Sequence, residues 1–288
     1  MRSGLRLCAT MKPVTHIRMH CFSPTGGTRR VATVLAEALA AQLDVPLMQS
    51  GYTLPSERTL PFRVDDGGLL LWASPVYAGR LPNKTLDYLS QTLTPGSLRC
   101  RAVAVVVYGN RSFGDALAEL GCLLTEAGAR VEAGVAAVAR HAFTDAVAGG
   151  RPNEADQLRL RRFAADIAAK LRGSSEASPL LLPGEAKPQR YYTPLQLDGR
   201  PAQFLKATPE VDPLRCQRCG LCLRVCPMGS VDSGADGLPL FRTPCIKCQA
   251  CRRSCPHGAI AFTNADFLSH VAMLEAHYRQ PQAPQLFL

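Results

Sequence analysis

The chain has 288 residues, 47% of them hydrophobic and 19% charged, which is enough for two domains with proper cores and too apolar for a disordered chain. Its formal charge of +10 suits an acidic protein, an acidic membrane surface or nucleic acid as a partner. No run approaches ~18 consecutive apolar residues, and the first residues are interrupted by arginine and polar side chains; a membrane span and a secretory signal are not expected, and the protein reads as cytoplasmic.

Residues 1–13 read as an N-terminal tail, within which Met11 is an alternative start. Residues 16–22 form the first expected strand, and the polar loop Ser23-Pro24-Thr25-Gly26-Gly27-Thr28 follows at once. A helix over 29–43 comes next, with apolar positions at Val31, Val34, Leu35, Ala38 and Leu39. Strand, glycine loop and helix make an anion-binding arrangement, because hydroxyls and loop amides meet the positive end of the helix dipole. The loop lacks both the lysine of a P-loop and the three-glycine dinucleotide fingerprint, which disfavours a nucleoside triphosphatase and a nicotinamide dehydrogenase. A phosphate held by hydroxyls and amides alone suits a small phosphomonoester such as FMN; the competing reading is an ordinary helix cap with no ligand.

The continuous apolar runs 67–73 and 101–108 read as strands buried on both faces, with another strand at 131–138. Helices are expected over 83–92, 113–128 and 153–171. Repeated strand–loop–helix units predict a doubly wound parallel sheet, of five strands, with ligands beyond the carboxyl ends of its strands. Three loops fall at that edge: 23–28, 74–82 and 109–114. The last two carry aromatic and glycine residues suited to a flat ring. Trp72, inside an apolar strand, reads as core, and His16, His20 and His141 as polar residues at strand ends.

Ser23, Thr25, Gly26 and Thr28 match, position by position, the Ser/Thr-x-Thr-Gly-x-Thr phosphate loop of flavodoxin-like proteins, and residues 14–172 resemble that domain. Pro75-Val76-Tyr77-x-Gly79-Arg80-x-Pro82 and Tyr108-Gly109-Asn110-Arg111 resemble the corresponding loops of bacterial flavodoxin–ferredoxin fusion proteins. The resemblance implies FMN, its phosphate at Ser23, Thr25, Gly26, Gly27 and Thr28 and its ring near Pro75, Val76, Tyr77, Gly79, Gly109, Asn110, Arg111 and Phe113. The second ring loop departs from ordinary flavodoxins: it lacks their acidic residue after the glycine. Arg111 there would favour the anionic reduced flavin.

Prolines and isolated polar residues break any periodicity over 173–207, which marks a linker along the surface; Tyr191, Tyr192 and Phe204 suggest that parts of it dock. Of 12 cysteines, eight fall in two copies of one pattern, Cys216-x2-Cys219-x2-Cys222-x3-Cys226-Pro227 and Cys245-x2-Cys248-x2-Cys251-x3-Cys255-Pro256. Clustered repeats of this kind differ from the dispersed cysteines of small secreted scaffolds and imply thiolates committed to metal in a reducing compartment. The scattered Cys8, Cys21, Cys100 and Cys122 read as small buried hydrophobes or tail residues.

Zinc sites place two Cys-x2-Cys pairs ~12 or more residues apart, whereas the triple run with a fourth cysteine before proline is the bacterial ferredoxin pattern. Residues 208–262 resemble a small α+β ferredoxin domain with two [4Fe-4S] clusters. The resemblance implies one cluster on Cys216, Cys219, Cys222 and Cys255 and a second on Cys245, Cys248, Cys251 and Cys226, each fourth ligand crossing to the other copy. Gly220 and Ala250 are expected in equivalent places where the chain wraps each cube, and His257, matched by Met228 in the other copy, reads as loop. A helix over 264–278 closes the module, within a C-terminal segment 263–288 that ends as a loose tail.

Arg215, Arg218, Arg224, Arg242, Lys247, Arg252 and Arg253 surround the cysteines and make a basic face for an acidic redox protein; without aromatic interleaving or a recognition motif, nucleic acid is not an expected partner. The leading functional expectation is an electron carrier joining FMN to the clusters, more carrier than substrate-transforming enzyme. Two alternatives stay open: an FMN-dependent reductase of a small substrate bound beside Tyr77 and Arg80, and a redox- or iron-responsive regulator.

Overall fold

A computed structural model describes residues 12–173 and 180–288; Cys8 and both candidate start methionines lie outside them. The first half runs β1 (His16–Cys21), α1 (Gly27–Leu43), β2 (Leu47–Gly51), β3 (Gly68–Pro75), α2 (Leu86–Thr92), β4 (Arg101–Tyr108), α3 (Ala116–Glu126), β5 (Arg130–Val138) and α4 (Glu154–Arg172). The second half adds β6 (Glu210–Val211), α5 (Leu221–Arg224), β7 (Val231–Ser233), β8 (Pro239–Phe241), α6 (Ala250–Ser254), β9 (Ile260–Ala261), α7 (Ala265–His277) and β10 (Gln285–Phe287).

The main sheet has the order β10-β5-β4-β3-β1-β2. Its first five strands are parallel and doubly wound in flavodoxin order, a crossover architecture that exposes loops at the strands' carboxyl edge. The sixth is a correction to the loose tail: Gln285, Leu286 and Phe287 pair antiparallel with Ala136, Val135 and Gly134. The C-terminal segment thus returns to the first domain and covers what would be an open edge. β2 escaped sequence reading because it is the opposite edge strand, half exposed, with no apolar run to mark it.

Alternate side chains of the central strands serve two separate cores. Leu69, Leu71, Val103 and Val105 pack with Val31, Leu35, Phe163 and Ile167 of α1 and α4. Leu70, Trp72, Ala104 and Val106 face α2 and α3 through Leu89, Leu117 and Leu120. This period-two division is why both runs are continuously apolar. Trp72 is core, donating from Nε1 to the Tyr52 hydroxyl at 3.0 Å. His20 lies at 3% exposure among Tyr52, Phe62 and Trp72, its ring nitrogens paired with Ser50 and Tyr88.

The linker docks along much of its described length. Leu182 fills space beside Gly121 and Gly134, and Lys187 pairs with Glu126. Helix α7, capped by the Asn264 side chain on the Phe267 amide, packs Met273 and Leu274 onto Val147 of the first half. Among the described residues no helix is long and apolar enough to cross a membrane.

Candidate functional site

The two cysteine copies fold into one repeated backbone. Arg218 and Lys247 share φ values of 54 and 53°, and Gly220 and Gln249 share 68 and 67°. The amides of Ser230 and Ala259 each donate to a sulfur four residues earlier, Cys226 and Cys255, at 3.4 Å. The partner of Gly220 is therefore Gln249 and not Ala250, which starts α6 one residue later. Gln249 holds a left-handed conformation that a side chain disfavours, at 2% exposure, and its Oε1 has no hydrogen-bond partner among the described residues.

Each copy closes on a hollow lined by four cysteines, and the fourth comes from the other copy. Cys216, Cys219, Cys222 and Cys255 line one hollow, and Cys226, Cys245, Cys248 and Cys251 line the other. Among the described residues no three His, Cys, Asp or Glu are grouped to hold a single metal ion. A ring of four thiols, with amides donating to sulfur, fits an iron–sulfur cube. Burial pushes the Cys245 and Cys248 thiols up, and that of Cys251 to about 12. A cation bound there would hold these sulfurs as thiolates.

The two hollows differ in surroundings. The second abuts the sheet domain. Arg58 donates to the Pro227 carbonyl at 2.6 Å, and Arg253 donates to the carbonyls of Ala142 and His141 and to Asp145. Ile246 packs against the core beneath α2 and α3. Burial first, and then the Cys248 and Cys245 sulfurs, raise the Tyr77 hydroxyl well above its usual range, which places Tyr77 of the 74–82 loop within electrostatic reach of this hollow. The first hollow faces outward, with Cys219 exposed.

At the carboxyl edge of the sheet, Gly26 caps α1 in the left-handed region (φ 82°), and the space where a Cβ would sit is empty. Ser23 Oγ accepts from the Arg29 amide, and Thr53 Oγ1 accepts from the Ser23 amide. The amides of Thr25, Gly27 and Thr28 are left without a backbone or side-chain acceptor among the described residues, so the loop presents unpaired donors at the positive end of a helix of 17 residues. That donor set fits a phosphate.

The two ring loops are more committed than sequence reasoning foresaw. Asp115 donates its amide to the Gly79 carbonyl, and a Cβ on Gly114 would fall 2.5 Å from that same oxygen, so the loops touch backbone to backbone there. Asn110 holds the returning tail, donating to the Tyr278 and Gln280 carbonyls and accepting from the Gln282 amide. Gly109 packs against His141, and Phe113 against Tyr108. Pro75 ends β3, and the Val76 amide continues the ladder to Val107.

The Arg111 guanidinium lies 3.8 Å from the Tyr192 ring centre, and that of Arg80, ion-paired with Glu119, lies 4.6 Å from Tyr191. Tyr192 and Tyr191 are themselves fastened, the first by its amide to Ala78, the second by its hydroxyl to Leu81. These linker tyrosines, like Arg58 and Gln249, were not foreseen as site residues; only the adjacent aromatic pair offered a sequence signal.

Residues 215–260 match the family model of the 4Fe-4S dicluster domain. A comparison with curated proteins gave no match. Among solved structures, a rubredoxin:oxygen oxidoreductase from Desulfovibrio gigas aligns at 18% identity and TM-score 0.42, over 58% of this chain but only 38% of its own length. A flavodoxin from the domain Archaea aligns at 14% identity and TM-score 0.38, over 55% of this chain and 100% of that one. A Streptococcus pneumoniae TIGR4 flavodoxin aligns at 19% and 0.39, over 54% and 99%. The first half thus has the doubly wound sheet order of the flavodoxin-like fold, and the second carries a segment that matches the 4Fe-4S dicluster domain.

Proposed function

We propose that the chain is an electron carrier that holds FMN at the 23–28 loop and two [4Fe-4S] clusters in the cysteine hollows, and exchanges electrons with a redox protein in a reducing, cytoplasmic setting. The observation that carries this reading is the crossed cysteine set: eight thiols divide four and four between two hollows, one of them against the flavodoxin-like sheet edge. When bound, FMN exchanges one or two electrons and each cube one, so the fusion suits conversion between paired and single electrons.

The chain's own residues position and shield these groups. The unpaired amides of Thr25, Gly27 and Thr28 would bind the phosphate. Cys226 and Cys255 tie each hollow to the other copy, so that neither ligand loop closes without its neighbour. Arg58 and Arg253 fasten the second hollow to the sheet domain. Tyr77, of the 74–82 ring loop, has its hydroxyl raised by burial first and then by the Cys248 and Cys245 sulfurs of that hollow. Arg80, beside which a reductase would bind its substrate, is ion-paired with Glu119 and lies against the ring of Tyr191, and this favours the carrier over the reductase.

Anaerobically purified protein tests the reading by iron, sulfide and flavin analysis with paramagnetic resonance of the reduced state. About eight irons and one FMN per chain are expected; protein that takes up iron but no flavin would reduce the proposal to a ferredoxin on an unloaded sheet domain.

A further inference from the structure

The two hollows differ in what they meet: the second lies against the sheet domain, and the first carries Cys219, the one exposed cysteine of the eight. Lys247 donates to the Cys245 carbonyl at 2.9 Å and also reaches that of Leu205, Cys248 is 9% exposed, and Arg58 and Arg253 close the seam to the sheet domain. The first hollow opens on a different surface. Leu214, 91% exposed, lies five residues before the exposed Cys219; Arg215, Arg218 and Arg224 of the same segment are exposed too, and Arg224 donates to the Cys219 carbonyl.

None of these three guanidinium groups meets a carboxylate among the described residues. Arg218 donates to the Asp236 carbonyl and Arg224 to that of Cys219, while Arg215 lies over Gly258. The nearby acids are already occupied: Asp212 Oδ1 accepts from the Leu214 amide and Asp236 Oδ1 from the Leu238 amide. Elsewhere in the module the balance differs, since Arg242 is paired with Asp232.

Resting on the reading of the hollows as cluster sites, we infer that the surface of Leu214, Arg215, Arg218, Cys219 and Arg224 is the docking face for an acidic one-electron redox protein. An exposed apolar residue ringed by unpaired cations suits a partner with a carboxylate rim around its own redox centre. The redox thiol at the middle of the patch selects such a protein over nucleic acid, which would gain nothing from that position. Each exchange moves one electron between the outer site and the partner's centre, and no bond or proton need follow it.

The test uses two haem proteins of opposite charge as probes, the acidic cytochrome b5 and the basic cytochrome c, each mixed in stopped flow with dithionite-reduced protein. Wild type should reduce cytochrome b5 at least ~10-fold faster at 20 mM than at 300 mM salt. R215E/R218E/R224E should lose at least that factor with cytochrome b5 at low salt and gain speed with cytochrome c. The milder triple glutamine variant should fall between, and R159E/R161E/R162E on α4 should match wild type. Iron content and the paramagnetic signal are measured first: their absence in wild type sinks the cluster reading itself. With clusters present, equal rates for wild type and the charge-reversed variant would overturn the docking face alone. So would suppression of cytochrome b5 reduction by the α4 variant, or duplex DNA binding wild type and not the reversed variant.

Discussion

Asn110 offers the sharpest quantitative handle on how the C-terminal tail is held against a ring loop. Its side chain makes three hydrogen bonds to that tail, at 2.6, 2.8 and 2.9 Å, while its own backbone sits at φ 68°. Two substitutions separate these features. Asn110→Gly removes the bonds but suits the backbone; Asn110→Ala removes the bonds and adds a left-handed alanine. At roughly 0.5–1.5 kcal/mol each, three bonds contribute about 3 kcal/mol, which is a factor of roughly 10² in the opening equilibrium of the segment they secure. The alanine costs about 1 kcal/mol more. Hydrogen exchange read by mass spectrometry should then show the β10 amides of residues 285–287 exchanging about two orders of magnitude faster in N110G, and faster again in N110A. Unchanged protection of β10 in both variants would show that pairing with β5 and the Arg151 bond to Gln282 hold the tail without Asn110.

Three further outcomes follow from the same geometry. Cys226→Ala should release iron from the hollow of Cys245, Cys248 and Cys251 before the other, and Cys255→Ala the reverse; iron analysis with resonance spectra would contradict the crossed set if each variant lost the cluster of its own copy. His20, whose pKa burial lowers from 6.5 to about 3, is held neutral in the fold, so its contribution is complete above pH 6.5 and is lost as the pH falls toward 3. Denaturant melts of wild type against His20→Phe should therefore diverge below pH 6.5 by up to about 1.4 kcal/mol per unit, and parallel curves would refute the neutral ring. Gln249→Gly relieves a left-handed backbone and removes an unpartnered Oε1, so stability should hold or rise by about 1 kcal/mol; a loss above about 2 kcal/mol would mean that the glutamine packs better than its orphaned oxygen suggests.

Local pattern made much of this molecule legible in advance. The apolar runs of β3 and β4 are strands because both faces are buried, and α1, α3 and α4 carry their apolar stripes on the sides that meet the sheet. The crossed cysteines were read through resemblance to ferredoxins, and the hollows now place each fourth thiol with the opposite copy. What escaped was set by distant partners. β10 is a three-residue strand that exists only because β5 offers an open edge. Asn110 and Arg111 sat at the edge expected for a ring, yet residues far along the chain engage both. Gln249 hid because side-chain size, not backbone conformation, guided its comparison with Gly220. The Arg58 and Arg253 seam leaves no periodic trace at all.

Because the second hollow lies against the sheet domain, the proposed function has electrons pass between the flavin and the outer hollow through it. It is tested most directly by reducing the flavin with a laser flash in the fully loaded protein, while absorbance follows flavin and clusters separately. The account predicts that wild type transfers an electron from flavin to cluster within one molecule, at a rate independent of protein concentration, and that Cys248→Ala, which breaks the second hollow, abolishes that phase while the flavin remains bound. Transfer that persists at the wild-type rate in C248A, or that scales with protein concentration in wild type, would contradict it.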